Sequence, residues 1–214
     1  MADPGADRRG DVFDVLMVCT GNICRSPMAE LIFHAGLQAA LNPEQAAAFS
    51  VHSAGTYGLH GYPIDAHAAR IMTDLAIDSS RFRAREVTEA MLAETDLVLT
   101  ATRDHRAAVV TMLPRAARRT FTLREFGRLC DLVDPTELPD GDIVQRARQL
   151  VVAAAAQRGM AVVPRQEDDV ADPYGARLTE FEASAELISA AFRAPLARLA
   201  GTAGYSRPDE KGEQ

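Results

Sequence analysis

The sequence predicts an α/β protein of three layers, helix–sheet–helix, built on a four-stranded parallel sheet with an oxyanion-binding loop after the first strand. Three observations carry this expectation. The apolar runs at 12–18 and 96–101 are continuous rather than alternating, as in strands covered on both faces. Strand-like and helix-like stretches then alternate along the chain, the pattern of parallel strands joined by helical crossovers. The first run also ends in Val18-Cys19-Thr20-Gly21-Asn22-Ile23-Cys24-Arg25-Ser26-Pro27, which reads as a strand–loop–helix junction.

Taken in order, residues 12–18 form the first strand. A helix follows from Pro27 to about Leu41, with Ser26 as its cap, Pro27 in the first turn and Asn42-Pro43 as its stop. Residues 49–54 form a short strand ending near Ser53, and 55–63 a loop rich in Gly, Tyr and His. A helix is expected at 65–75, and a short one capped by Thr88 at 88–94. The strand at 96–101 leads into a helix capped by Thr102 and ended by Pro114. A fourth strand is predicted at 119–123, with a helix from Leu123. The stretch 142–158 carries Ile143, Val144, Ala147, Leu150, Val151 and Ala154 on one helical stripe, with Gly159 as the stop. The closing helix, 180–199, is expected to be interrupted near Pro195. Residues 11–200 thus read as one domain with a helical elaboration at about 127–170, between polar tails at 1–10 and 201–214. Ligands of such sheets bind beyond the carboxyl ends of the strands, at a switch point. Cys19, Ser53 and Thr100-Ala101 fall at such ends.

Composition narrows the chemistry. The 214 residues are 47% hydrophobic and 25% charged, ordinary values for a globular chain. The net charge of −7 argues against a nucleic-acid partner. Three cysteines do not suggest a disulfide framework. Residues 1–10 lack an apolar signal core, and no run approaches membrane-spanning length, so a reducing, cytoplasmic setting without a membrane partner is expected. The only lysine is Lys211, which removes lysine-dependent phosphate loops, Schiff bases and kinase-type sites. His34, His52, His60, His67 and His105 show no metal-ligand spacing. No metal and no cofactor is expected.

The loop is where chemistry is legible. Cys19 stands at a strand end and Arg25 at a helix N-terminus, where backbone N–H groups and the helix dipole favour an anion. Five residues separate them, enough to curl round one tetrahedral oxyanion. Arginine's fork matches two of its oxygens. The same field favours the thiolate, the nucleophilic form. Gly21 and Asn22 tolerate the left-handed angles such a loop needs.

Cys19-Thr-Gly-Asn-Ile-Cys-Arg-Ser-Pro resembles the signature of the low-molecular-weight protein tyrosine phosphatases. Two further motifs, Ser53-Ala54-Gly55-Thr56 and Asp172-Pro173-Tyr174-Gly175, match that family in the right order. The resemblance implies that Cys19 attacks phosphorus to give a cysteinyl-phosphate. It also implies that Arg25 and the loop Thr20, Gly21, Asn22, Ile23, Cys24 and Ser26 bind the phosphate. Ser26 is placed to donate to the Cys19 thiolate, as well as to cap the helix. Asn22 looks like the residue that holds the loop's shape, with Ser53 as its partner. Asp172, pushed out of helical angles by Pro173, is the candidate acid for a phenolate leaving group and then the base for water. The acidic run Gln166-Glu167-Asp168-Asp169 just upstream is expected to surround it with negative field. Cys24 reads either as a small buried filler or as a partner for a reversible disulfide with Cys19. Cys130 reads as a core or surface thiol.

The chain departs from the family pattern at three places. Leu59 stands where many relatives carry Trp or Tyr over the substrate ring, with Tyr57 and Tyr62 nearby and Tyr174 as the other wall. Leucine there resembles the bacterial branch acting on tyrosine autokinases of polysaccharide export. Phe82 stands where His is frequent, and Thr102 where Asp is common. The segment 127–170 is longer than its family equivalent, and its helix reads as a lid, as a partner surface or as packing on the domain edge. The functional expectation is a protein phosphotyrosine phosphatase. Arsenate reduction with an external thiol, and a non-catalytic phosphopeptide-binding module, are the alternatives.

Overall fold

The structure, a computed structural model, describes residues 11–160 and 163–201; the tails predicted at 1–10 and 201–214 lie outside them, apart from Gly201. Four parallel strands, β1 (Phe13–Cys19), β2 (Phe49–Gly55), β3 (Leu97–Thr100) and β4 (Thr120–Thr122), form one sheet in the order β2-β1-β3-β4. The chain steps from β1 outward to β2, then crosses back to β3 on the other side of β1. The loops after β1 and β3 therefore lie side by side at the carboxyl edge.

Around the sheet run α1 (Arg25–Ala40), α2 (Pro43–Ala47), α3 (Ala66–Asp74), α4 (Glu89–Glu94), α5 (Arg103–Met112), α6 (Leu123–Asp131), α7 (Ile143–Ala156), α8 (Arg165–Asp168) and α9 (Leu178–Ala200). Alternation along β1 sorts its side chains into two layers. Phe13, Val15 and Met17 join the large core built with α1, α3, α6, α7 and α9. Leu16 and Val18 face the smaller core, where Leu92 of α4 and Val109 of α5 pack. The predicted helix at 142–158 is α7, and all six residues of its apolar stripe are buried in the larger core. It is packing, not a lid.

Three expectations are corrected. Asn42-Pro43 stops α1 but also starts α2, through a reciprocal capping box between Asn42 and Gln45. The closing helix runs unbroken through Pro195. A proline there has no N–H to give the Ala191 carbonyl, and α6 crosses at that point. Gly127 sits so close that an added Cβ would lie 2.4 Å from the Ala191 oxygen. The bare glycine lets α6 and α9 approach where the proline has freed a carbonyl. Finally, α1 begins at Arg25, and Ser26 caps nothing; its hydroxyl is used in the site.

Candidate active site

Cys19 closes β1, and the backbone turns through residues 20–24 before α1 begins. The loop's outward carbonyls are taken by the segment after β2: Thr56 N donates to Cys19 O, Tyr57 N to Thr20 O, Leu59 N to Gly21 O and Asp65 N to Ile23 O. Gly55 permits this apposition, since a Cβ there would sit 2.2 Å from the Thr20 oxygen. With these carbonyls tied back, the first-turn amides of α1, which have no intrahelical acceptor, are left for an anion.

Asn22 is fully buried with φ of 56°. This left-handed conformation is held by its own side chain. Its Oδ1 accepts from Arg85 N at 2.9 Å, and its Nδ2 donates to Ser53 Oγ at 2.8 Å and Ser26 Oγ at 2.9 Å. Ser26 Oγ lies 3.0 Å from Cys19 Sγ, the contact that a thiolate accepts. Ser53 Oγ donates in turn to Glu30 Oε2 at 2.5 Å. Burial pushes the Glu30 carboxyl upward from its ordinary range, against the Ser53 hydrogen bond and the Arg85 charge. Phe82 packs against the core, and Asn22 Oδ1 takes the Arg85 amide as its donor.

The Arg25 guanidinium is buried and held from several sides. Nη1 donates to Val170 O at 3.1 Å, Nη2 to Thr20 Oγ1 at 3.4 Å, and Nη2 pairs with Asp172 Oδ2 at 2.7 Å. Its Nε–H is buried without a hydrogen-bond partner among the described residues, the condition of a donor that calls for an acceptor from outside the chain. Asp172 is half-exposed, and its other oxygen accepts from Tyr174 N.

One cavity of about 300 Å³ gathers these groups. Cys19, Thr20, Gly21, Ile23, Cys24, Arg25 and Asp172 line it, with Tyr57, Leu59 and Tyr174 as walls. Of the residues the sequence offered as walls, Leu59, Tyr174 and Tyr57 line this cavity. Tyr62 is exposed but outside the lining. Cys24 is buried at the start of α1, and burial, then Asp65, pushes its thiol up to about 12. Cys19, Cys24 and Cys130 are all free thiols.

The acidic run upstream of Asp172 has other work. Asp168 is buried and bound by Arg103 and Arg128. Asp169 accepts from Arg103 N at 2.7 Å. Arginine offsets the field the sequence reading put there. These contacts latch the approach to Asp172 instead, together with Arg124 on the carbonyls of Gln166 and Asp169 and Val170 N on Ala101 O.

Sequence reasoning missed Glu30, Arg85 and His105. Glu30 sits four residues after Ser26, on the same face of α1, which is a readable signal. Arg85 gives its backbone amide to Asn22 and its Nε–H to the Ser53 carbonyl at 2.8 Å, contacts across 63 and 32 residues that no local pattern announces. His105, in the first turn of α5, reaches Thr20 Oγ1 with Nε2 at 2.8 Å and Thr102 Oγ1 with Nδ1 at 2.7 Å. Thr102 caps α5 as predicted.

The sequence profile of the family described as low molecular weight phosphotyrosine protein phosphatase matches residues 14–157. A probable low molecular weight protein-tyrosine-phosphatase EpsP of Ralstonia nicotianae is 34% identical over 121 residues, 56% of this chain and 77% of that protein. A protein-arginine-phosphatase of Geobacillus stearothermophilus is 32% identical over 125 residues, 58% of this chain and 78% of that protein. The crystal structure of a low molecular weight protein tyrosine phosphatase from T. tengcongensis superposes with a TM-score of 0.62. It is 29% identical and covers 86% of this chain and 97% of its own.

Proposed function

The chain belongs to the low molecular weight phosphotyrosine protein phosphatase family, and we propose that it dephosphorylates phosphotyrosine on proteins through a cysteinyl-phosphate. The observation that carries this reading is the single cavity in which Cys19, Arg25 and Asp172 meet. The incoming phosphate dianion competes with Asp172 for the guanidinium and takes the free Nε–H as well. Asp172 is then released toward the ester oxygen and, freed from the guanidinium, takes up a proton from solvent. The Cys19 thiolate forms the S–P bond as the O–P bond breaks, and protonated Asp172 gives its proton to the departing phenolate. The same carboxylate next takes a proton from water, which attacks phosphorus. Inorganic phosphate leaves and the thiolate returns, held by the Ser26 hydroxyl. Arg25 and the loop amides stabilise the equatorial oxygens throughout.

The walls favour an aromatic leaving group. Ile23, Leu59, Tyr57 and Tyr174 offer apolar surface to a phenyl ring. Leu59 also supports a protein substrate of the tyrosine-autokinase kind. A reducing, cytoplasmic setting suits a thiolate enzyme, and no helix among the described residues is long and apolar enough to cross a membrane.

The test is turnover of p-nitrophenyl phosphate and phenyl phosphate by the reduced protein, with phosphotyrosine and phosphoarginine peptides beside them. Cys19→Ser abolishes turnover. Asp172→Ala lowers kcat about 100-fold or more on phenyl phosphate and less on p-nitrophenyl phosphate, whose leaving group needs less help. Equal losses on both esters sink the acid assignment. Preference for phosphoarginine sinks the substrate assignment. No turnover at all moves the protein to arsenate reduction with an added thiol, or to binding alone.

A further inference from the structure

We propose that His105 is a positioning residue that fixes the Thr20 hydroxyl, and through it the Arg25 guanidinium, from across the switch point of the sheet. The proposal rests on the reading of the Cys19–Arg25 loop as an anion site. His105 lies 85 residues from Thr20 in sequence. The strand order makes them neighbours, because β3 lies beside β1 and α5 follows β3 directly. Its ring is nine-tenths buried and bonded at both nitrogens, to Thr102 behind and to Thr20 in front.

The guanidinium then has two anchors that do not depend on Asp172, the Val170 carbonyl on Nη1 and the Thr20 hydroxyl on Nη2. When a phosphate displaces Asp172, those two remain. A hydroxyl rotates freely unless something holds it. His105 is the group that holds this one. Burial, then the charge of Arg25, pushes its protonation down to about 4, so at neutral pH the ring has one N–H and one lone pair. If Nδ1–H donates to Thr102, Nε2 accepts the Thr20 proton and the Thr20 lone pairs face Arg25. If Nε2–H donates to Thr20 instead, a second Thr20 lone pair still serves Arg25. Both tautomers give the same anchor.

The simpler role for His105 is local, as part of the α5 cap with Thr102. Two substitutions separate the roles. In His105→Asn the shorter amide keeps contact with Thr102 but stops short of Thr20. In His105→Gln the longer one reaches Thr20. The readouts are kcat/KM for p-nitrophenyl phosphate, affinity for inorganic phosphate by calorimetry, and the melting temperature. The positioning role predicts that His105→Asn loses about five- to tenfold in both kcat/KM and phosphate affinity, the scale of one hydrogen bond. His105→Gln recovers most of both. Thr20→Val shows the same loss as His105→Asn, and the double variant His105→Asn/Thr20→Val loses no more than Thr20→Val alone. A parent that binds phosphate while His105→Asn binds it equally well overturns the proposal alone. So does a double variant whose losses multiply, or a Gln variant no better than Asn. A parent that binds no phosphate overturns the reading of the loop, and the His105 role with it.

Discussion

Asp168→Asn tests whether the segment before Asp172 is held by charge. Asp168 is only 3% exposed. One of its oxygens takes Arg103 Nε at 3.0 Å together with Arg103 Nη2, and the other takes Arg128 Nη2 at 2.8 Å. Asparagine keeps the shape, but it turns one acceptor into an N–H₂ that faces a guanidinium. Breaking a fully buried pair costs about 3–5 kcal/mol. Here the side chains of Arg103 and Arg128 are 37% and 27% exposed, so water recovers part of the loss and about 2–3 kcal/mol is expected. The segment keeps its ties from Arg103 N to Asp169, from Arg124 to two carbonyls and from Val170 N to Ala101 O. It therefore loosens without detaching. Val170 also anchors Arg25, so a shift below an ångström reaches both the cation and the acid. We expect about a tenfold fall in kcat, modest beside the cost of a full ångström's misplacement. Urea unfolding followed by circular dichroism reads the first quantity, and p-nitrophenyl phosphate kinetics the second. Arg70→Ala, which removes an exposed pair with Asp74 on α3, serves as control and costs less than about 0.5 kcal/mol. Stability of Asp168→Asn within that same margin refutes the reasoning. A fall in stability with unchanged kcat confines the latch to folding.

Two further outcomes are expected. Gly127→Ala drives a Cβ against the Ala191 carbonyl, a backbone atom that cannot rotate away. It costs about 1–3 kcal/mol and lowers the melting temperature by several degrees, read by scanning calorimetry; an unchanged melting temperature means that α6 and α9 slide freely. The His105 imidazole stays neutral down to about pH 4 in the fold, whereas the unfolded chain protonates it near pH 6.5. In that window the unfolded state binds more protons, so stability falls as pH falls, by up to about 3 kcal/mol from this group. His52, lowered chiefly by burial, acts in the same sense, and Glu30, raised chiefly by burial, in the opposite one. The measurement is therefore the difference in urea midpoint between parent and His105→Gln at pH 7 and at pH 4.5. A shallower fall for the Gln variant is expected, and identical falls refute it.

How legible the site was depended on the range of its interactions. The loop from Cys19 to Arg25 was readable because strand, glycine, asparagine, arginine and proline signal within ten residues. Ser26 was read both as a donor to Cys19 and as a cap. The contact with Cys19 is present, but the cap is not, because Asn22 Nδ2 and Cys19 Sγ engage the hydroxyl instead. Pro195 looked like a break because local rules do not know that α6 brings a bare glycine against it. His105 has a local partner in Thr102, which the cap rule announced. Its second partner belongs to another strand's loop and required the strand order. The Asp168 latch was out of reach in sequence, since Arg128 and Arg103 are 40 and 65 residues away.

The latch also explains how the acid keeps its place after so long a segment. The profile match stops at residue 157, before Asp172. Between the two the chain is tied back by guanidinium groups bonded to backbone carbonyls. Arg158 holds Ala117 and Thr120, Arg103 holds Val163, Arg124 holds Gln166 and Asp169, and Arg25 itself holds Val170. A guanidinium carries five N–H donors in a fixed plane and spans two carbonyls at once, whereas an ammonium is a point charge on a flexible stem. In a chain whose only lysine is Lys211, arginine thus does two jobs with one geometry. Its fork clasps backbone carbonyls around the sheet, and at Arg25 the same fork keeps an Nε–H for the phosphate. Arg25 is at once the cation of the site and one clasp of the acid's segment, and Val170, which it holds, is also buried in the core, so a displacement of residues 165–170 is felt at both.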